Sequence, residues 1–359
     1  MTQQEEQILA WIQENPTITQ QELAERAGIT RSTVAVHISN LTKKGLIAGR
    51  GYIVKNAPYA VVVGGVNMDI GGTPYKPLIM HDSNPGNVRI SLGGVGRNIA
   101  HNMALLGMDV RMITALGNDL YAQKISNSCA QLGIDLSASL SISGGRTSTY
   151  LFIAADDGDM ELGISDMEIY ENLTPQFLAG KKALLDRAKL VVVDTNIPQE
   201  SIKWLAQNCT SALFLDPVST AKAKKAADVL GSFHTIKPNA IEAQILSGVE
   251  ITDDKSLEKC AQTLLDKGLE RVFISLGGEG VYAADSDGAV KIPCLKAQMV
   301  NTTGCGDAFM AALAYSYAEG FDLERSAKAG LAASAIAMEG AQTINPEMNA
   351  QAVLERAGI

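Results

Sequence analysis

Asn301-Thr302-Thr303-Gly304-Cys305-Gly306-Asp307-Ala308-Phe309 is the stretch on which the reading of this chain turns. Gly304, Cys305 and Gly306 lead directly into a run of small residues from Asp307 to about Glu319, closed by Gly320. That pattern predicts a helix with a bare start. Glycines there let backbone N–H groups turn toward an anion, and the helix dipole adds its positive end. Asp307 falls in the first turn, within reach of whatever binds in front. A carboxylate beside an anion hole is where a hydroxyl loses its proton as it attacks a γ-phosphate. The transition state is loose, so an Asp of ordinary pKa is expected to suffice. An Asp that only caps a helix explains the same letters, and this stretch alone does not decide between the two.

Outward from it, the chain from Tyr59 alternates two textures. YAVVVGG, VRMITALG, AKLVVVD, SALFLD, HTIKP and RVFISLGG are short, apolar, β-branched runs. Helical stretches such as Asn98–Leu106, Ser201–Asn208 and Leu257–Lys267 separate several of them. That order predicts parallel strands with crossover helices, a three-layer α/β fold over 59–359. Asp69–Ile90 and Thr147–Glu168 are instead rich in strand and turn residues. They predict a small β-sheet lid over the active site, from about 69–90 and 147–168. No G-x-x-x-x-G-K-[ST] occurs, which excludes a P-loop. Gly94-Val-Gly-Arg-Asn-Ile lacks the third Gly of a dinucleotide fingerprint.

Residues 1–55 differ in character. Ile8, Leu9, Trp11 and Ile12 recur at helical spacing before Pro16. Thr19 can cap a second helix carrying Leu23 and Ala24. After Gly28, Thr30 can cap a third, with Val34, Ile38 and Leu41 on one face. Gly45-Leu-Ile closes it, Ala48–Val54 reads as a short hairpin, and Asn56-Ala-Pro as a linker. The pattern predicts a winged helix-turn-helix domain. From Arg26 to Lys55 there are basic residues and no Asp or Glu. Arg31, Ser32, Thr33, His37 and Asn40 would face a major groove, and Lys43, Lys44 and Arg50 would meet phosphates. A three-helix module used for docking is the competing reading.

The whole chain, 359 residues with a net charge of −9, argues against a nucleic-acid or membrane binder along its full length. Five scattered cysteines, none in C-x-x-C, argue against a disulfide framework and a structural zinc site. No apolar run reaches the length of about 18 residues that a membrane span needs. The N-terminus has no apolar signal region. A cytoplasmic location follows by elimination.

The Gly304–Asp307 stretch resembles the G-A-G-D signature of the ribokinase-like (PfkB) carbohydrate kinases. The resemblance covers about residues 59–359, and further motifs fall in the family's order. Gly65-Val-Asn67-Met-Asp69 is similar to its sugar-binding G-x-x-N-x-D. Gly93-Gly94-Val-Gly96-Arg-Asn98 is similar to its G-G-x-x-x-N sugar loop. Lys237-Pro-Asn239-Ala-Ile-Glu242 matches its N-x-x-E, which implies Asn239 and Glu242 holding Mg²⁺ through water near the phosphates. Ser275-Leu-Gly277-Gly278-Glu-Gly280 matches the glycine loop under ATP. The resemblance implies an ATP- and Mg²⁺-dependent kinase with Asp307 as base and Gly304, Cys305 and Gly306 forming the anion hole. It implies Asn67, Asp69, Gly93, Gly94 and Asn98 on the sugar, and Asn239, Ser275, Gly277, Gly280 and Gly306 on ATP. Asn301, Thr303 and Gly340 fall where many members hold a monovalent cation, K⁺. Cys305 stands where the family usually has Ala. A helix N-terminus can lower a thiol's pKa, so a reactive thiol was weighed against a tolerated small residue.

Asp82-Ser83-Asn84-Pro85-Gly86, Ser165-Asp166-Met167, Asp194-Thr-Asn196 and Asp216-Pro-Val-Ser219 resemble, within that family, the pseudouridine kinases. That implies phosphorylation of a ribose 5′-hydroxyl. Ser83, Asn84 and Thr149 are then expected to pair with the base, and Asp166 to line the substrate site. Asn-Pro-Gly is also ordinary turn chemistry. Purine nucleosides such as inosine or guanosine, and then ribose or fructose, are the alternative substrates. The basic N-terminal module raises a different class, a nucleoside-sensing transcription regulator, which is compatible with a bifunctional kinase. Exposed lid edges and paired winged helices point to a homodimer.

Overall fold

The computed structural model describes residues 1–47, 58–155 and 160–359. They form two compact units, Met1–Pro58 and Tyr59–Ile359. The expected hairpin at Ala48–Val54, with Arg50, and most of the linker lie outside the described residues.

The first unit is three helices, Gln3–Glu14, Gln20–Ala27 and Arg31–Lys43, around Ile8, Leu9, Ile12, Leu23, Val34 and Leu41. Each start is written in the sequence. Thr2 with Glu5 and Thr19 with Glu22 form reciprocal capping boxes, and the Thr30 hydroxyl accepts the Thr33 N–H. Gly28 ends the second helix at φ 64°, a left-handed cap.

The second unit has a central eight-stranded sheet. Its strands in chain order begin with β1 (Tyr59–Val63), and the lid strands β2 (Asn67–Pro74) and β3 (Gly86–Gly93) follow. Next come β4 (Asp109–Ile113), then β5 (Ala115–Leu116) and β6 (Leu140–Ser141), which form a short parallel ribbon. The lid is completed by β7 (Thr149–Ala154) and β8 (Met160–Asp166). The remaining strands are β9 (Leu190–Asp194), β10 (Ala212–Asp216), β11 (Thr235–Ile236), β12 (Arg271–Ser275), β13 (Val281–Asp285) and β14 (Gly288–Ile292). The central order is β14-β13-β12-β11-β10-β9-β1-β4, parallel from β4 to β12. The antiparallel hairpin β13–β14, absent from the sequence reading, extends one edge.

Alternate residues of β1 feed two cores. Ala60 and Val62 pack with the helices Val95–Leu105, Cys305–Ala318 and Leu323–Glu339. Tyr59, Val61 and Val63 pack with those at Gln199–Asn208, Ala240–Ser247 and Asp254–Asp266. A strand buried on both faces reads as a continuous apolar run, which is why these strands were visible without alternation.

The lid is a separate four-stranded sheet, β3-β2-β7-β8. All the central parallel strands end along one edge, where open α/β sheets bind ligands. At that edge stand Gly64, Asp194, Asp216, Lys237 and Ser275.

Candidate active site

Gly304 adopts φ 86° and caps the Cys305–Ala318 helix without any side-chain bond. A side chain there would also press on Thr343, so only Gly fits. The N–H groups of Gly306 and Asp307 find no carbonyl partner among the described residues. Lys237 comes up from the end of β11, and its ammonium lies 3.3 Å from where a Gly306 β-carbon would stand. A cation and free N–H groups thus share one concavity, which is what a phosphate needs.

Asp307 sits at its rim, partly exposed. Loss of water around the carboxyl, then the negative charge of Asp216, push its pKa up to about 8. The Asn98 amide and Lys237 pull the other way. The expected ordinary Asp is therefore replaced by a tuned one, because the strand ends crowd it with Asp216 and Asp194. A base whose pKa lies near the working pH is well matched to proton transfer.

Asn98 Nδ2 donates to Asp307 Oδ2 at 2.9 Å, joining the sugar loop to the anion-hole helix. Asp69 lies against Gly93, where a β-carbon would collide with its carboxylate. Asn67 Nδ2 donates to Asp69 Oδ1. Burial lifts the Asp69 pKa to about 6, against the pull of Asn67 and Arg97. Gly94, at φ 96°, lets the loop pass over Gly65. Behind it, the fully buried Asp194 accepts N–H bonds from Gly65 at 2.8 Å, Gly96 at 2.7 Å and Asn196 at 2.8 Å. One carboxylate stitches the first strand's loop to the sugar loop.

On the nucleotide side, Asn239 and Glu242 form a reciprocal capping box, each bond 2.9 Å. This holds Glu242 in a buried position, where loss of water and then the nearby Asp216 raise its pKa. Asp216 pairs with Lys237 at 3.6 Å, both buried. Buried carboxylates in mutual repulsion, with Glu242 Oε1 unclaimed by the box, suit a hard cation that keeps part of its water. Mg²⁺ fits the chemistry of these donors, and Glu242 and Asp216 would hold it when it is bound. Asn239, Ser275 and Gly277 line a cavity of about 430 Å³ together with Leu257, Glu279 and Lys291. Gly280, at φ 104°, turns the loop back against Ile292. The Asn301 N–H donates to Met338 O at 3.1 Å, two positions before Gly340, whose own N–H donates to Ala337 O at 3.1 Å. Asn301 Oδ1 is taken by the Thr303 N–H at 2.9 Å.

Several expectations need correction. Strand register puts Asp69 in one row with Tyr150 and Ser165. Thr149 and Asp166 stand in the row of Met68, on the opposite sheet face, and Asp166 pairs with Arg146 at 3.6 Å. Neither shares the face of Asp69. Asn84 is spent on its own loop, bonding Ile79 N and O and Asp82 O at 2.8, 2.9 and 3.0 Å. Ser83 is exposed on that loop, its N–H held by Asp82. Burial, then Asp307, raise the Cys305 thiol pKa, opposite to the lowering that a helix start would give. In the first unit, Arg31, Ser32 and Lys43 are exposed and Thr33 is half-buried. Both His37 ring nitrogens are shut from water without a partner among the described residues. Lys44 bonds the buried Glu5 at 2.6 Å rather than standing free.

Sequence reasoning gave Lys237 no role and quoted Asp194 and Asp216 only as parts of a resemblance. Their signal was present: each closes an apolar run at a strand's C-terminal end.

The pfkB family carbohydrate kinase profile matches residues 57–350, and a winged helix-turn-helix DNA-binding profile matches residues 1–48. The uncharacterized sugar kinase YeiI of Escherichia coli (strain K12) is 38% identical over 356 residues, covering 99% of this chain and 98% of that protein. The pseudouridine kinase of the same organism is 36% identical over 298 residues, 82% of this chain and 95% of that protein. Among solved structures, the ribokinase of Thermotoga maritima shares the fold at TM-score 0.76 and 23% identity, over 84% of this chain and 100% of that one. The chain is a sugar or nucleoside kinase with a ribokinase-like α/β fold, and it belongs to the pfkB family of carbohydrate kinases.

Proposed function

We propose that this protein transfers the γ-phosphoryl group of ATP to the ribose 5′-hydroxyl of a nucleoside, with pseudouridine as the preferred acceptor. The observation that carries the catalytic reading is the Asn98–Asp307 bond, which puts the sugar loop and the first-turn carboxylate in one site. The choice of pseudouridine is supported by the 36% identity to a pseudouridine kinase over most of the chain.

The chemistry follows from the residues. Asp69 and Asn67 engage the ribose hydroxyls, and Asn98 orients the acceptor beside Asp307. Asp307 takes the proton of the attacking hydroxyl as its oxygen bonds the γ-phosphorus. The bond to the bridging oxygen breaks and ADP leaves. The N–H groups of Gly306 and Asp307, with Lys237, hold the charge on the transferring group. Mg²⁺, when bound with ATP, neutralises phosphate charge, and Glu242 and Asp216 would hold it. A K⁺ ion beside Asn301, Thr303 and Gly340 belongs to the same proposal, and equal rates in Na⁺ and K⁺ buffers would remove it.

The test is ATP turnover with pseudouridine, uridine, inosine, guanosine, ribose and fructose. Pseudouridine is expected to give the highest kcat/KM. Turnover of inosine with none of pseudouridine would overturn the substrate. The profile match at residues 1–48 favours a second role in DNA binding. A gel shift at stated salt, with and without nucleoside, tests it.

A further inference from the structure

Arg97 lies in the Val95–Leu105 helix, one residue before Asn98, and is only 5% exposed. Its donors reach neutral acceptors: Leu92 O at 3.3 Å, Asn98 Oδ1 at 3.4 Å, His101 Nδ1 at 3.2 Å and Ser128 Oγ at 3.4 Å. These are long for such bonds, and Nε has no partner among the described residues. A guanidinium buried on such terms costs stability. Something else retains it.

Two features of its surroundings point to the acceptor site. Asn98 has an oxygen end toward Arg97 and a nitrogen end that donates to Asp307 Oδ2 at 2.9 Å. Rotated by half a turn, that amide would set its oxygen against the carboxylate. The second feature is Asp69, whose surroundings supply little charge. Asn67 is neutral, Gly93 offers backbone, and burial pushes the Tyr170 hydroxyl far above its usual pKa. Around Arg97, burial and Arg97 itself hold the His101 pKa down to about 4, and burial raises the Cys129 thiol. Both are therefore neutral at pH 7. Arg97 donates to Leu92 O at 3.3 Å, one residue before the Gly93 against which the Asp69 carboxylate lies, and its charge pulls on that carboxylate.

We propose that Arg97 is a positioning residue for the acceptor site: it turns the Asn98 amide toward Asp307 and sets a buried positive charge behind Asp69. The proposal rests on the kinase function above.

The test uses the full-length protein with its best acceptor, from about pH 5.5 to about pH 9 to bracket the shifted carboxylates. Arg97→Met is expected to raise the acceptor KM at least about tenfold and to move the acid limb of kcat/KM to higher pH. The KM for ATP should hold. The melting temperature should hold or rise, because an unpaired buried charge has gone. Arg97→Lys should keep the acid limb near its parent position but not the low KM, since an ammonium lacks the planar fork. Arg97→Met with parent acceptor KM and parent pH profile overturns the proposal. So does a drop in kcat and melting temperature with the acid limb unmoved, which marks a packing role. If Arg97→Met does not fold, Arg97→Gln carries the same measurements, and failure of both to fold assigns Arg97 to the fold alone. A parent protein inactive on the whole acceptor panel sinks the kinase reading itself, and is scored first.

Discussion

At the scale of residues, Asp307 is a compromise between chemistry and stability. Its pKa of about 8 makes it partly protonated at neutral pH, so kcat/KM should rise with pH through an acid limb well above the ordinary Asp range. A pH profile flat from about pH 5 to about pH 8 would contradict that. The same shift bears on folding. A carboxyl whose folded pKa is raised favours the fold fully below its unfolded value near 3.8, and loses that advantage as pH climbs to about 8. Asp307→Asn should therefore cut kcat by about 10²–10⁴-fold, the range for a lost general base. It should also raise stability at pH 8 by at least about 1 kcal/mol, a gain that fades below pH 4. Thermal melts of both proteins across pH check it. The letters showed Asp307 beside two glycines but not its pKa. That value comes first from loss of water around the carboxyl, then from Asp216 and Asp194 against the pull of Lys237, groups far apart in the chain that meet only at the strand ends.

At the scale of elements, the lid shows what patterning can and cannot deliver. Its strands were legible from β-branched and turn residues: β7 and β8 fall inside 147–168, while β2 and β3 overrun 69–90 at its ends, to Asn67 and Gly93. Their register was not legible, because a shift of one residue exchanges the faces. Thr149 is expected to pair with the base, yet pairing with Met68 assigns it to the face opposite Asp69, and Tyr150 stands beside Asp69. Ser165→Ala and Tyr150→Ala should each raise the acceptor KM several-fold, and Thr149→Ala should leave it near parent; steady-state kinetics on the three variants decide it. The capping boxes, by contrast, were local and could be read directly. The Lys44–Glu5 bond was not legible, because its partners lie 39 positions apart.

At the scale of the whole molecule, the two units invite separable tests. Arg31→Ala with Lys43→Ala should abolish any gel shift and leave phosphorylation intact, while Asp307→Asn does the reverse. The lid face away from Asp69 carries Val88, Ile90, Leu151, Leu162 and Ile164, all exposed. A second copy is proposed to cover it. Ile90→Lys with Ile164→Lys should then shift the protein to a monomer in sedimentation, and an unchanged mass would reject that interface. Chain order adds a consequence of the Asn98–Asp307 bond. Its two halves are 209 positions apart, so during synthesis the sugar loop is made long before its carboxylate. The unit of residues 1–58 emerges before either half. A ribosome-bound chain stopped before Asn301 would hold every acceptor contact named here and still lack the base and anion hole. Phosphorylation is therefore acquired only after the acceptor contacts are made, and any DNA-binding before them.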